Sequence, residues 1–104
     1  MANMYMTKSD EIKKWSNPTT VFRLAKRYLG KTAKIQLSTK KDKKYMVTTP
    51  EGRRVHFGQM EYEDYTRHGD KTRRKNYLRR SAKIRGDWKK DKYSANNLAR
   101  KLLW

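Results

Sequence analysis

Excess positive charge is the feature that most constrains what this chain can fold into. Its 104 residues include 28 lysines and arginines but only 10 aspartates and glutamates, a formal net charge of +18. Repulsion among like charges opposes a compact state, and a bound polyanion would relieve that repulsion. We therefore expect an ordered but marginal fold that associates with negatively charged partners in a salt-dependent way.

Aromatic residues argue against a disordered, charged tail. Low hydrophobicity with high net charge is typical of disorder, and only 35% of the residues are hydrophobic. The chain nevertheless contains three Trp, seven Tyr and two Phe, and each such ring buries a large area. We expect a single domain over residues 1–104, with 1–30 as a helical docking element and 31–104 as an α+β core.

Several classes of protein are excluded by what the sequence lacks. The absence of cysteine excludes disulfides and thiolate metal sites. No apolar run approaches the length of about 18 residues that a membrane helix needs. The N-terminal segment carries charge throughout and lacks the apolar stretch of a secretory signal. We expect an intracellular or intravirion setting.

Two helices are predicted before residue 30. Ser9 is predicted to cap a short helix through Trp15, with acids in its first turn, where they are favourable. A second helix is predicted over 18–29, because proline is tolerated at the first turn. Its apolar face consists of Val21, Phe22, Leu24, Ala25, Tyr28 and Leu29, and Gly30 ends it.

A change of hydrophobic period predicts strands in the middle of the chain. Ala33, Ile35 and Leu37 alternate with polar residues, which indicates a half-buried strand. After a lysine-rich connector over 40–44, segments 45–49 and 53–57 flank a Pro-Glu-Gly turn and predict a hairpin. The three strands are predicted to form an antiparallel sheet.

Helices are predicted again after the sheet. One or two turns are expected within 61–67, and Asp70 is predicted to cap a basic helix over 71–85 that ends at Gly86. The predicted inner face of this helix is Tyr77, Leu78, Ser81, Ala82 and Ile84. Ser94 is predicted to cap a last helix whose Leu98, Leu102 and Trp104 dock on the sheet. The predicted fold class is α+β, a small three-stranded antiparallel sheet flanked by N-terminal helices and a basic C-terminal helix pair.

Residues 71–104 hold the densest positive charge. They contain 13 of the 28 basic residues and two acidic ones, a net charge of +11. Guanidinium groups suit phosphate or carboxylate oxygens, and such asymmetry indicates a binding face. The predicted polyanion- or partner-binding residues are Arg73, Arg74, Lys75, Arg79, Arg80, Lys83 and Arg85, with Trp88 and Trp104 as hydrophobic anchors. The alternative is a solvated helix face with no partner.

Aromatic residues are interspersed with these cations, as on surfaces where nucleobases stack. In so small a domain the same rings are the main available core, and we favour that interpretation. The rings are Tyr62, Tyr65, Tyr77, Trp88, Tyr93 and Trp104. No helix-turn-helix, zinc-finger or aromatic RNA-binding motif is present, so any nucleic-acid binding is expected to be independent of base sequence.

Residues able to carry catalysis are few. His56 is expected to be a half-buried sheet residue. His68, with Glu63, Asp64 and Asp70 nearby in sequence, could offer ligands to a divalent metal. The simpler interpretation is that these carboxylates cap helices, satisfy backbone amides or hold arginines. No Gly-rich phosphate loop or hydrolase motif is present, and we expect a non-enzyme without cofactor, metal or small-molecule substrate.

Short motifs lie between about Lys44 and the C-terminus. They are Val55-His56-Phe57-Gly58, Asp64-Tyr65-Thr66, His68 with Asp70, Arg73-Arg74 with Tyr77, Asp87-Trp88, and the segment 93–104 that closes on Leu103-Trp104. On these motifs the chain resembles a family of small basic proteins of unassigned function from large double-stranded DNA viruses of eukaryotes. The family brings no catalytic residues to carry over.

This resemblance implies a virion setting, at the interior face of the capsid, with passage through the host cytoplasm or nucleus during assembly. The leading hypothesis is a minor capsid protein that bridges major or other capsid proteins through its basic surface. The alternatives are a sequence-nonspecific DNA-binding protein that packages the genome, contact with an anionic inner membrane surface, and, most distantly, a metal-dependent nuclease around His56 and His68.

Overall fold

Helices surround a single sheet in the computed structural model, which describes residues 7–86 and 88–104. The described elements are α1 (Lys8–Ile12), α2 (Pro18–Leu29), β1 (Lys34–Leu37), β2 (Lys43–Thr48), β3 (Arg54–Gln59), α3 (Tyr65–His68), α4 (Lys71–Ser81) and α5 (Ala95–Leu102). The strands form an antiparallel sheet in the order β1-β2-β3, so the predicted α+β class is confirmed. None of the described helices is long and apolar enough to cross a membrane.

Local capping sets where the first helices begin. The predicted cap at Ser9 is wrong, because Thr7 caps α1. Its hydroxyl accepts from the Asp10 amide at 3.2 Å, and the Asp10 carboxylate accepts from the Thr7 amide at 3.4 Å. This reciprocal arrangement satisfies two amides at once, which a cap at Ser9 would not. The bounds of α2 are as predicted, with Asn17 as its cap and Gly30 at its end.

The hairpin between β2 and β3 is confirmed, with Tyr45 opposite Phe57 and Val47 opposite Val55. The predicted connector over 40–44 is too long, because its last two lysines belong to β2. Lys44 is only 2% exposed. A lysine buried in a strand needs a partner for its charge, and that partner lies in the segment after β3.

The core lies between the sheet, α2 and α5. Its buried side chains are Ile12, Val21, Ala25, Tyr45, Val47, Phe57, Met60, Leu98, Ala99, Leu102 and Leu103. The Tyr45 ring occupies the centre, with its centroid 5.9 Å from the rings of both Phe22 and Phe57. Ser94 caps α5 as predicted. Leu98 and Leu102 are fully buried, and Trp104 packs against the core and stacks on Tyr77 of α4.

The basic helix is shorter than predicted. α4 ends at Ser81 instead of continuing to 85, and the predicted stop at Gly86 is wrong. Ala82 and Ile84, expected on the inner face, are exposed, Ile84 by 51%. Residues 82–86 are all exposed, so no apolar burial there offsets the repulsion among the cations. At this end of the helix Asn96 of α5 donates to the Ser81 carbonyl at 3.2 Å, and Arg100 donates to the Leu78 carbonyl, which also accepts from the Ala82 amide.

Candidate polyanion-binding surface

The outer side of α4 is a row of exposed cations. Lys71, Lys75 and Arg79 are four residues apart, and all three are exposed. This spacing places them on one side of the helix, with each about 6 Å further along the axis than the last. Tyr77, Leu78 and Ser81 face inward and fix the orientation of the row. We call Lys71, Lys75 and Arg79 the α4 cationic face.

The seven predicted binding residues do not share one environment. Arg73 forms an ion pair with Glu63 at 3.2 Å. Arg74 donates to the Trp104 carbonyl oxygen and lies 5.0 Å from the centroid of the Tyr65 ring. Both guanidinium groups therefore hold α4 against its neighbours. The other five are exposed and form no ion pair with a carboxylate in residues 7–86 or 88–104, namely Lys75, Arg79, Arg80, Lys83 and Arg85.

Little of the positive charge is neutralised within the chain. Three ion pairs occur in the part of the chain that the structure describes: Lys44–Asp64, Arg53–Asp91 and Arg73–Glu63. The last two are solvent-exposed, and exposed pairs contribute little to stability. Most cations therefore project into solvent, where an external anion can reach them.

Both predicted anchors contact their own chain. The Trp104 ring stacks on Tyr77, with centroids 4.3 Å apart and an interplanar angle of 11°. The Trp88 indole nitrogen donates to the Ile84 carbonyl oxygen at 2.7 Å. Tyr93 and Trp104 pack against the core, in line with the interpretation of the rings as core. Tyr62 is 69% exposed, so for that ring the interpretation is wrong.

A cavity of about 630 Å³ lies between β3, α4 and the end of α5. Arg73 and Arg80 line it from α4, and Glu63 lines it from the segment between β3 and α3. Because Glu63 already pairs with Arg73 at 3.2 Å, this cavity has mixed charge. It is less suited to an anion than the outer side of α4.

Lys44 and Asp64 form a buried ion pair that sequence reasoning missed. The Lys44 Nζ lies 3.1 Å from Asp64 Oδ2, with the two side chains 2% and 1% exposed. The same ammonium donates to the Tyr62 carbonyl oxygen. Burial lowers the pKa of Lys44, and the Asp64 carboxylate opposes that shift. The available signal was a lysine that immediately precedes the apolar strand residues Tyr45-Met46-Val47.

A chain of hydrogen bonds extends from this pair into the core. Asp64 Oδ1 accepts from the Thr66 hydroxyl, and Thr66 Oγ1 accepts from the Asn17 amide at 3.0 Å. The Ser16 hydroxyl lies 3.3 Å from Thr66 Oγ1 and 2.7 Å from the Tyr45 hydroxyl. Asp64 was expected to satisfy backbone amides or hold an arginine, and that expectation is wrong. The Asp64-Tyr65-Thr66 motif instead joins the turn before α2, the sheet and α3.

The acidic residues near His68 have structural partners. Glu63 pairs with Arg73, and Asp64 pairs with Lys44. Asp70 accepts from the Thr72 and Arg73 amides at 2.9 and 3.1 Å, which confirms it as the cap of α4. In residues 7–86 and 88–104, no three His, Asp or Glu side chains are placed to hold a metal ion. The described residues therefore give no support to the metal site that the nuclease alternative requires.

The two histidines lie in different environments. His56 is a half-buried residue of β3, as expected, and its Nδ1 lies 2.6 Å from the Ser38 hydroxyl. His68 Nδ1 accepts from the Asp70 amide at 2.8 Å, which places the proton of the neutral ring on Nε2. Burial, assisted by Arg73, lowers the pKa of His68 below its ordinary value of 6.5.

A pH effect on stability follows for His68. In the unfolded chain His68 takes up a proton near pH 6.5, whereas in the folded chain it does so only at lower pH. The free energy of unfolding is therefore higher above pH 6.5 and falls as the pH drops below it. We expect the thermal midpoint to decrease between pH 7 and 5.5, and to decrease less in His68→Asn. Asparagine keeps an acceptor for the Asp70 amide but does not titrate. Equal decreases in both proteins, measured by circular dichroism, would contradict this assignment.

Comparison with known protein families gives a match over the sheet and α4. Residues 33–81 match a family described as "Family of unknown function (DUF5754)". The match covers just under half of the chain, from the start of the sheet to the last residue of α4. The matched range includes the motifs between Lys44 and Ser81, but not Asp87-Trp88 or the segment 93–104. Asp87 also lies outside the residues that the structure describes. No match was found among curated proteins or among solved structures. Across the sheet and α4, the chain is similar to a family of unknown function.

Proposed function

We propose that the protein is a non-enzymatic structural component of a large DNA virus particle, a minor capsid protein that bridges its neighbours through a basic surface. The observation that carries this proposal is the α4 cationic face, together with Arg80, Lys83 and Arg85. These side chains are exposed and lack ion-pair partners among the described carboxylates. An acidic protein surface at the capsid interior would supply the missing partners.

The placement of other cations supports a bridging role. The register pairs Lys34 with Thr48 and Thr48 with Arg54, so both cations lie at one end of the sheet. Lys40 and Lys41 precede β2 at the opposite end. All four are exposed, and the molecule measures 47 × 35 × 23 Å. A molecule with exposed cations at several separate places can contact more than one anionic neighbour.

The viral setting is supported by the resemblance of the motifs from Lys44 onward to small basic proteins of large DNA viruses. Its test is the location of the protein in a particle. We expect ordered density that touches capsid subunits, with α4 facing acidic side chains. Loss of the protein together with the DNA core when the particle is opened would overturn the capsid role.

A second candidate function is sequence-nonspecific DNA binding, and the α4 cationic face favours it. Regularly spaced lysine and arginine contact phosphates without reading base sequence. Each phosphate contact contributes about 0.9 to the slope of log affinity against log salt. We therefore expect the triple variant Lys71→Gln, Lys75→Gln, Arg79→Gln to lower that slope by up to about 3, measured by fluorescence anisotropy between about 50 and 200 mM salt.

A matched control separates local contact from general charge. Lys13→Gln, Lys14→Gln and Lys31→Gln remove the same number of charges from exposed positions outside α4. This control is expected to change the slope much less than the α4 variant. Equal slopes in the two variants would remove α4 as the DNA interface. If the unaltered protein ignores duplex DNA at near-physiological salt of about 150 mM, the packaging role fails.

A further inference from the structure

A second concentration of positive charge surrounds a cavity on the far side of α5. The cavity measures about 470 Å³ and lies between α2, the loop over 88–92 and α5. Five cations line it: Lys89, Lys90, Lys92, Arg100 and Lys101. We call it the α5 cationic pocket. It shares none of the seven residues that the sequence predicted for polyanion binding.

No described acidic side chain lines this pocket. Asp91 belongs to the same loop, but its carboxylate pairs with Arg53 at 3.4 Å and accepts from the Tyr93 amide at 3.0 Å. The repulsion among the five cations is therefore not balanced by the described residues around them. An anion that enters the pocket would relieve this repulsion.

Two aromatic rings contact four of the five cations. The Nζ atoms of Lys92 and Lys101 lie 4.9 and 6.0 Å from the centroid of the Tyr28 ring. The Lys89 Nζ and the Arg100 guanidinium carbon lie 5.5 and 5.0 Å from the Trp88 ring. Such contacts orient a cation without neutralising its charge. The cations are thus gathered around the cavity before any ligand arrives.

Hydrogen bonds fix the walls of the pocket. The Asn97 side-chain amide, 8% exposed, donates to the Tyr28 hydroxyl at 3.0 Å and to the Lys92 carbonyl at 2.9 Å. Arg100 donates to the Leu78 carbonyl at 2.7 Å and to the Ser81 hydroxyl. These contacts connect α2, the loop, α4 and α5. Asn97, Tyr28 and Arg100 are therefore fixed by the fold where they line the pocket.

We propose that the α5 cationic pocket binds the phosphate group of a nucleotide, either free or within a nucleic acid chain. A phosphate has several oxygens and up to two charges, so it can engage several of the five cations at once, whereas a single carboxylate cannot. The cavity is also larger than one phosphate requires. This inference is independent of the α4 cationic face and of the capsid role.

The test uses the full chain and the indole N–H signal of Trp88 in ¹H–¹⁵N spectra. The probes are inorganic phosphate, adenosine monophosphate, a short oligothymidylate and polyglutamate. We expect the three phosphate probes to shift this signal and polyglutamate to shift it far less. If adenosine monophosphate saturates the shift of the Trp88 signal, the phosphate that the pocket binds belongs to a free nucleotide. If only the oligothymidylate saturates the shift, that phosphate belongs to a nucleic acid chain.

Charge-matched variants decide whether the pocket is responsible. Lys89→Gln, Lys90→Gln, Lys92→Gln is expected to weaken phosphate-probe affinity at least tenfold. The control Lys13→Gln, Lys14→Gln, Lys31→Gln is expected to leave it nearly unchanged. All six side chains are exposed, so the fold should persist in both. Equal weakening by both variants, or polyglutamate binding as well as phosphate, would overturn the proposal. The α4 variant is expected to leave the titrations with inorganic phosphate and adenosine monophosphate unaltered, so a failure here is distinct from a failure of the proposed function.

Discussion

Asp64→Ala is expected to destabilise the protein by about 3–5 kcal/mol, because it leaves the Lys44 ammonium buried without its counterion. The variant also removes the acceptor of the Thr66 hydroxyl. Since small domains are stable by only about 5–15 kcal/mol, this loss is a large part of the total stability. Urea unfolding followed by circular dichroism measures it directly.

Two further variants make this prediction specific to a buried charge. Arg53→Ala breaks the exposed pair with Asp91 and is expected to cost less than about 1 kcal/mol. The double variant Lys44→Met, Asp64→Leu removes both charges and is expected to be more stable than Asp64→Ala, because no uncompensated charge remains. If Asp64→Ala costs no more than Arg53→Ala, the pair is not the buried centre that we describe.

Gly58→Ala is the second change with a large expected effect. Gly58 lies in β3 with φ +81°, a conformation that L-residues with a side chain rarely adopt. A Cβ at this position would lie 2.8 Å from Leu103 Cδ1 and 3.1 Å from Lys44 Cβ. The backbone cost and the steric cost together predict a loss of about 2–5 kcal/mol. The added methyl group would displace Leu103, which follows α5, and Lys44, which lies in β2.

Gly52→Ala supplies the matched control. Gly52 has φ +89°, but a Cβ there would meet nothing within 4 Å. It is therefore expected to show the backbone cost alone, about 1–2 kcal/mol. The difference between the two variants, measured by thermal unfolding, reports the close approach of α5 to β3. Equal losses would mean that Leu103 and Lys44 move aside without penalty.

Both variants should have a smaller unfolded fraction when a polyanion is bound. A ligand that binds the folded chain alone stabilises it by mass action, and here it would also reduce repulsion within a chain of charge +18. This links the marginal stability expected from composition to the proposed role. A protein of this kind is best ordered where its partner is present.

Local patterns in the sequence determined α2, the hairpin and the caps of α4 and α5. The apolar spacing in α2 and the strand alternation repeat within a few residues, so they can be read without knowledge of the rest of the fold. The caps at Asn17, Asp70 and Ser94 are similarly local, since each accepts from an amide two or three residues away.

Contacts between distant residues decided the remainder. Lys44 and Asp64 are 20 residues apart and meet only because β3 returns alongside β2. The end of α4 contacts Asn96 and Arg100 of α5, and the α5 cationic pocket joins Tyr28 to the loop over 88–92. Composition determined how much positive charge the chain carries. The tertiary structure determined where that charge is exposed, because the position of each cation depends on which apolar faces the fold must bury.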